Sequence, residues 1–73
     1  MMNQQIFNSV ELGCIIRKAR KAQGLTQEDL SGMTGTGIRF ISELERGKQT
    51  AQIGKVISVI STLGLVMSIS SEW

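Results

Sequence analysis

Cys14 is the one side chain able to act as a thiol nucleophile, and nothing in the chain can activate it. There is no histidine and no tyrosine, so Ser–His and Cys–His pairs and the phenolic proton donor are all missing. One cysteine without histidine also leaves no plausible zinc ligand set. Gly35 and Gly37 form a G-x-G, but no third glycine or lysine follows at the spacing a phosphate loop needs. The expectation is no catalytic residue, no metal, no cofactor and no small-molecule ligand. The chain reads as a binding module, not an enzyme, with Cys14 facing solvent or an interface.

The remaining chemistry is charge. Eight basic and six acidic residues leave a net charge of +2, too little alone to announce nucleic acid. The distribution says more: Arg17, Lys18, Arg20 and Lys21 crowd together, and no acid stands between Arg46 and Ser71. A solvated helix face followed by an acid-poor tail accounts for the same pattern.

The frame that must position these charges is small. A chain of 73 residues buries only about 60–65% of its unfolded surface, where disulfides, metals or oligomerisation usually help. With the first two set aside, oligomerisation is expected. No apolar stretch approaches the roughly 18–20 residues of a bilayer span, and no secretory leader is expected. The expected compartment is a reducing cytoplasm, and residues 1–73 read as one domain.

Four helices can be placed. The first runs from about Ser9 to Ala22, capped by Asn8 with Glu11 three residues on, and Phe7 is positioned to staple against Leu12. Leu12, Ile16 and Ala19 recur at helical spacing, and Gly24 ends the helix. Thr26 caps the second helix with Asp29 as its box partner, and Leu25 and Leu30 occupy the staple positions. That helix is short, ending at Thr34-Gly35. The third spans about Ile38 to Glu45, capped by Gly37 or Thr36, with Ile41 and Leu44 turned inward. Phe7 and Phe40 are expected in the core. Helix, short glycine-containing turn, helix is the helix-turn-helix arrangement in outline.

A fourth helix is expected from a Thr50 cap to Leu63, where Gly64 stops it. Its apolar residues Ile53, Val56, Ile57, Val59, Ile60 and Leu63 cover roughly 160° of the wheel, more than the ~100° one neighbour requires. Two neighbours are implied: the core and a second subunit. Beyond Gly64, Leu65, Met67 and Ile69 alternate with Val66, Ser68 and Ser70, a strand pattern of period two. A lone strand has unpaired backbone groups, so residues 65–70 are expected to pair with their symmetry mate in an isologous dimer. The alternative is a frayed tail with chance alternation. Residues 71–73 form a tail.

The run Leu12-Gly13-x-x-Ile16-Arg17-x-x-Arg20-x-x-x-Gly24-Leu25-Thr26-Gln27-x-x-Leu30 resembles the first half of an XRE-type (Cro/C1-like) helix-turn-helix domain. Gly35 through Ile41-Ser42-x-Leu44-Glu45-Arg46-Gly47-Lys48 continues the pattern without a gap. Within that family the chain is most similar to HipB-type antitoxins, through Gly37–Lys48, Gly54-Lys55-Val56 and the ending Leu65-Val66-Met67-Ser68-Ile69. Gly32 and Gly37 stand where the family more often has helix-forming or capping residues. The resemblance implies an all-α, lambda-repressor-like four-helix fold, a homodimer, a palindromic double-stranded operator and a HipA-like kinase toxin as partner.

It also implies residue roles. Ile38, Arg39, Ser42 and Glu43 fall on the base-facing positions of the recognition helix. Arg39 can bond guanine O6 and N7 together, Ser42 several bases, Ile38 a thymine methyl and Glu43 cytosine N4. Glu43 serves equally as an acid that rejects wrong sites or pairs with a basic neighbour. Thr26, Gln27, Arg46, Lys48 and Thr50 match phosphate-contacting positions, with Thr26 engaged first in its cap. Arg20 and Glu45 match a partly buried ion pair joining the first and third helices. Val59, Leu65, Val66, Met67 and Ile69 are expected in the dimer interface. Trp73 either anchors a toxin or rests on the protein's own surface.

The expected function is a sequence-specific repressor and antitoxin that autoregulates a toxin operon. Two rivals stand beside it: a free-standing XRE-type repressor without a toxin, and an adaptor that neutralises a toxin with little affinity for DNA.

Overall fold

The computed structural model describes residues 3–73. Four helices follow one another, α1 (Ser9–Ala22), α2 (Gln27–Thr34), α3 (Ile38–Glu45) and α4 (Ile53–Thr62). The start of α1 is set by Asn8, whose side-chain oxygen accepts from the Glu11 amide. The Glu11 carboxylate reaches one residue further back than a capping box requires and accepts from the Phe7 amide at 2.8 Å. Thr26 and Asp29 close a reciprocal capping box at the start of α2.

Ile16, Leu30, Ile41 and Val59 are fully sealed, one from each helix, and Leu44, Val56, Ile60 and Leu63 complete the core around them. Leu12, Ala19, Leu25, Phe40, Ala51 and Leu65 pack against its edge. The Gln23 amide donates to the Leu63 carbonyl at 2.8 Å, and Ser9 Oγ donates to the Gly47 carbonyl at 2.8 Å. These bonds tie both ends of α1 to the second half of the chain.

Two glycines explain how α3 is seated. Gly37 caps it at φ +77, a backbone angle that a side chain disfavours, which accounts for the absence of a serine or aspartate cap. Gly13 marks the crossing of α1 over α3. A Cβ there would stand 2.5 Å from the Leu44 carbonyl oxygen and 2.7 Å from that of Glu45. Gly13→Ala is therefore expected to destabilise by about 1–3 kcal/mol through overpacking, although alanine favours a helix by about 1 kcal/mol over glycine. Gly32 on α2 has open space around it, so Gly32→Ala is expected to raise stability by about 0.5–1 kcal/mol. Urea melts of the two variants should move in opposite directions; a stabilised Gly13→Ala protein would refute the close crossing.

Several expectations from the sequence are corrected. No strand occurs among the described residues, and residues 65–73 have no regular secondary structure. Alternation makes a strand only where a second strand supplies the ladder, and among the described residues none lies beside residues 65–70. Val59 does not face a partner, since it lies fully inside the core. Thr50 does not cap α4; Gln52 does, without a side-chain bond, because Ala51 is drawn against the core before the helix begins. The helix ends at Thr62, with Leu63 as its C-cap. Phe7 is 78% exposed, so it neither enters the core nor staples, while Phe40 is half-buried at the core edge. Trp73 stands clear of the protein's own surface, fully exposed.

Candidate nucleic-acid interface

The turn of Gly35, Thr36 and Gly37 joins α2 to α3. Thr36 is buried there, and its hydroxyl pairs with that of Thr34 at 2.8 Å. Thr34 Oγ1 in turn donates to the Leu30 carbonyl at 2.9 Å. The angle between the two helices is thus fixed by side chains as well as by the core.

On α3 the helical period separates two faces. Ile41 and Leu44 are buried, whereas Ile38 and Arg39 are exposed and Ser42 and Glu43 are half-buried. The side chain of Arg39 is 89% exposed and meets Glu43 Oε1 at 3.8 Å. Lys48 Nζ donates to the other carboxylate oxygen of Glu43 at 3.3 Å. Arg46 donates to Ser42 Oγ at 3.0 Å. Polar and basic groups along this face therefore hold one another, and Glu43 pairs with its basic neighbours. Solvent-exposed pairs of this kind contribute little to stability and exchange easily, so each basic group remains available to an anion. Thr50 is exposed in the turn after α3. Lys55, from α4, lies 5.6 Å from the centre of the Phe40 ring.

Beneath the polar face is a sealed ion pair. Arg20 Nε donates to Glu45 Oε2 at 2.6 Å and Nη2 to Oε1 at 3.0 Å. Its remaining arm donates to the Leu25 carbonyl at 2.8 Å. The Gln27 amide adds a further bond to Glu45 Oε1, at 3.1 Å. One carboxylate at the end of α3 thereby joins α1 and the first residue of α2. Gln27 is held by protein before any ligand arrives.

Burial pushes the Glu45 carboxyl up, but the hydrogen bonds from Arg20 and Gln27, with the charges of Arg20 and Arg17, outweigh it. The group is held below its ordinary value of 4.5. Asp29 is likewise held below 3.8, by the backbone amide and then the hydroxyl of Thr26. Both folded values are depressed, so the stability they confer is present at neutral pH and is lost as the pH falls through those folded values. The melting temperature is expected to hold between about pH 7 and pH 5 and to drop below about pH 4. Melts that stay level to about pH 2.5 would show that neither carboxylate is linked to folding.

The first three helices bring Arg20, Gln27 and Glu45 together, and α3 with its following loop brings together Arg39, Ser42, Glu43, Arg46 and Lys48. Cys14 is exposed beside Gln4, Gln5, Val10, Glu11, Ile15 and Lys18 on another face of α1. Two contributors were missed in the sequence. Gly13 was visible as a glycine inside a helix, where the entropic cost asks for a reason. Arg17 was visible as one charge in a basic run and as a matched residue of the family motif, with no role attached to it.

Comparison with known proteins agrees with this geometry. A helix-turn-helix family model matches residues 16–66. The chain is 47% identical over 68 residues to the uncharacterized HTH-type transcriptional regulator y4mF of Sinorhizobium fredii (strain NBRC 101917 / NGR234), covering 93% of this chain and 90% of that one. Its fold is similar to that of a HipB–O4 20mer complex, with a TM-score of 0.86, 21% identity and coverage of 97% of this chain and 100% of that one. It is also similar to the restriction-modification controller protein C.AhdI from Aeromonas hydrophila, with a TM-score of 0.70, 26% identity and coverage of 78% and 86%. The chain belongs to the helix-turn-helix family of transcriptional regulators.

Proposed function

We propose that the protein is a sequence-specific repressor that binds a palindromic operator as a homodimer and acts as the antitoxin for a HipA-like kinase toxin. The observation that carries the DNA reading is the division of α3, with Ile41 and Leu44 locked in the core and Ile38, Arg39, Ser42 and Glu43 on the accessible side. A helix so held can enter the major groove with its first turn against base edges. Arg39 reads guanine, Ile38 a thymine methyl and Ser42 a neighbouring base. Glu43 holds Arg39 and Lys48 and can accept from cytosine N4. Thr26, Gln27, Arg46, Lys48 and Thr50 hold the phosphates and set the register.

Dimerisation is supported by the large apolar side chains left outside the core. Ile53 and Ile57 on α4 are exposed, as are Val66, Met67 and Ile69 beyond it, more than a small monomer ordinarily leaves to water. The antitoxin reading is supported by the likeness of fold to a HipB–O4 20mer complex and to a chain of a HipA–HipB–O2–O3 complex, each at a TM-score of 0.86. Trp73, fully exposed, supplies an aromatic anchor of the kind enriched at binding hot spots. The likeness to C.AhdI favours a second reading, a regulator with no kinase toxin. A kinase-like reading frame beside the gene supports the first reading, and its absence favours the second. Repression itself is tested by protection of two half-sites in the DNA upstream of the gene. A cytoplasmic location goes with either reading.

A further inference from the structure

Between Ile38 and Thr50 the chain carries two carboxylates. Glu45 is sealed against Arg20. Glu43 stays partly open to solvent and is shared by two cations, with Lys48 Nζ 3.3 Å from Oε2 and Arg39 Nε 3.8 Å from Oε1. The backbone builds this arrangement. The Glu43 carbonyl accepts from the Lys48 amide at 3.1 Å and from the Arg46 amide at 3.2 Å. Those bonds fold the loop after α3 back over Glu43 and bring the Lys48 side chain to its carboxylate. Arg39 stands one helical turn earlier, at the i,i+4 spacing.

Folding gains little from either contact. Both cations are exposed, exposed pairs contribute little, and an i,i+4 pair with the cation first is the weaker orientation on a helix. The consequence falls on a polyanionic ligand. Arg39, Arg46 and Lys48 carry three positive charges, and Glu43 lowers the net charge of this face from +3 to +2. A duplex gains affinity as the cations of a protein replace its condensed counterions. A carboxylate fixed on the helix competes with the phosphates for Arg39 and Lys48 and cannot diffuse away. Any duplex that takes both cations leaves Glu43 uncompensated beside phosphates, and like charges brought together at an interface are costly. The cost is lifted where the groove offers the carboxylate a hydrogen-bond donor, and the cytosine N4 amino group is such a donor.

We propose that Glu43 determines specificity as a fixed counter-charge, withholding Arg39 and Lys48 from non-operator DNA and releasing them only where a base amino group takes its carboxylate. The inference rests on the sequence-specific DNA-binding reading above and deepens it. Three separate contacts become one exchange, in which Arg39 passes to guanine, Lys48 to phosphate and Glu43 to cytosine together. The free protein holds the same three groups together at the distances given, so the exchange needs side-chain motion and no change of fold.

The test compares a duplex of the DNA upstream of the gene with a mixed-sequence duplex of the same length, by fluorescence anisotropy between about 50 and 200 mM salt. On the mixed duplex, Glu43→Gln is expected to steepen the slope of log K against log salt by about 0.9 for each cation released. One release per subunit of a dimer makes the gain in affinity about tenfold larger at about 50 mM than at about 200 mM salt. On the upstream duplex, where wild type has already released both cations, the slope should stay at the wild-type value, so the preference for that duplex falls. Glu43→Asp, which keeps the charge, should behave as wild type, and so should Glu72→Gln, which removes the same charge from the tail. The melting temperature of Glu43→Gln should stay near that of wild type. Equal steepening on both duplexes, or the same gain in Glu72→Gln, overturns the proposal and leaves DNA binding intact. It is also overturned if the gain persists when Glu43→Gln is added to Arg39→Ala/Lys48→Ala, because the carboxylate then acts on phosphates directly. A wild-type protein that binds neither duplex, or both alike, removes the sequence-specific reading and this inference together.

Discussion

Arg20→Ala is expected to lower the melting temperature by more than about 12 °C, the low end of a loss of about 3–5 kcal/mol at about 4–8 °C per kcal/mol in a domain of this size. The magnitude follows from what is left behind. Glu45 would remain in the protein with the Gln27 amide as its one hydrogen-bond donor and the charge of Arg17 acting without a direct contact, and the Leu25 carbonyl would lose its partner. Removing one member of a buried pair costs more than the pair itself contributes, because an uncompensated charge stays in a poorly solvated place. Arg20→Lys should recover only part of the loss, since an ammonium cannot span both carboxylate oxygens and the carbonyl. Replacing Arg20 and Glu45 together by apolar residues of similar volume should cost far less than Arg20→Ala alone. Calorimetry of the three variants checks this, and a shift under about 3 °C for Arg20→Ala would mean that the pair is not what seats α3.

Arg39→Ala is expected to behave in the opposite way, with little thermal change and a large loss of operator discrimination. The side chain is 89% exposed, and its one ionic contact in the free protein is the 3.8 Å approach to Glu43, which contributes little to folding. In the proposed complex the same side chain forms a bidentate bond to guanine, which is about 1–3 kcal/mol of discrimination per site. Two copies in a symmetric dimer double this, so the ratio of operator to scrambled-duplex affinity should fall by roughly 30-fold to 10⁴-fold. Affinity for the scrambled duplex should fall only by the effect of one charge per subunit. Competition titrations with the two duplexes measure the ratio; an unchanged ratio would take Arg39 out of base reading.

These two arginines also show how much was legible in the sequence. Their separation into a structural and a reading role came from the resemblance to the XRE-type family, whose motif aligns with this chain residue by residue. The ends of α1 and α3 were legible because local chemistry sets them: Asn8 and the Gly24 turn for one, Gly37 and Gly47 for the other. The start of α4 was not, because Thr50 is a good cap by type, while the demand of the core on Ala51 delays the helix to Ile53. Residues 65–70 carry the alternation of a strand, but a strand depends on a second one, and no residue within the segment encodes it. Val59 was assigned outward from a broad apolar wheel. Only the position of the neighbouring helices decides that it goes in while Ile53 and Ile57 stay out. Arg17 illustrates the same limit at the site. Its charge is plain in the sequence, but its place in the lining of one cavity with Gln27, Ser42 and Arg46 is set by the fold.

The central claim is that α3 reads DNA as one of a symmetric pair. The measurement that bears on it most directly is a footprint of the wild-type protein on the DNA upstream of its own gene, at low and moderate salt, with Arg39→Ala beside it. Two protected half-sites about 34 Å apart, one turn of the duplex, are expected, weakened by salt and lost in the variant. No protection at either salt would contradict the claim.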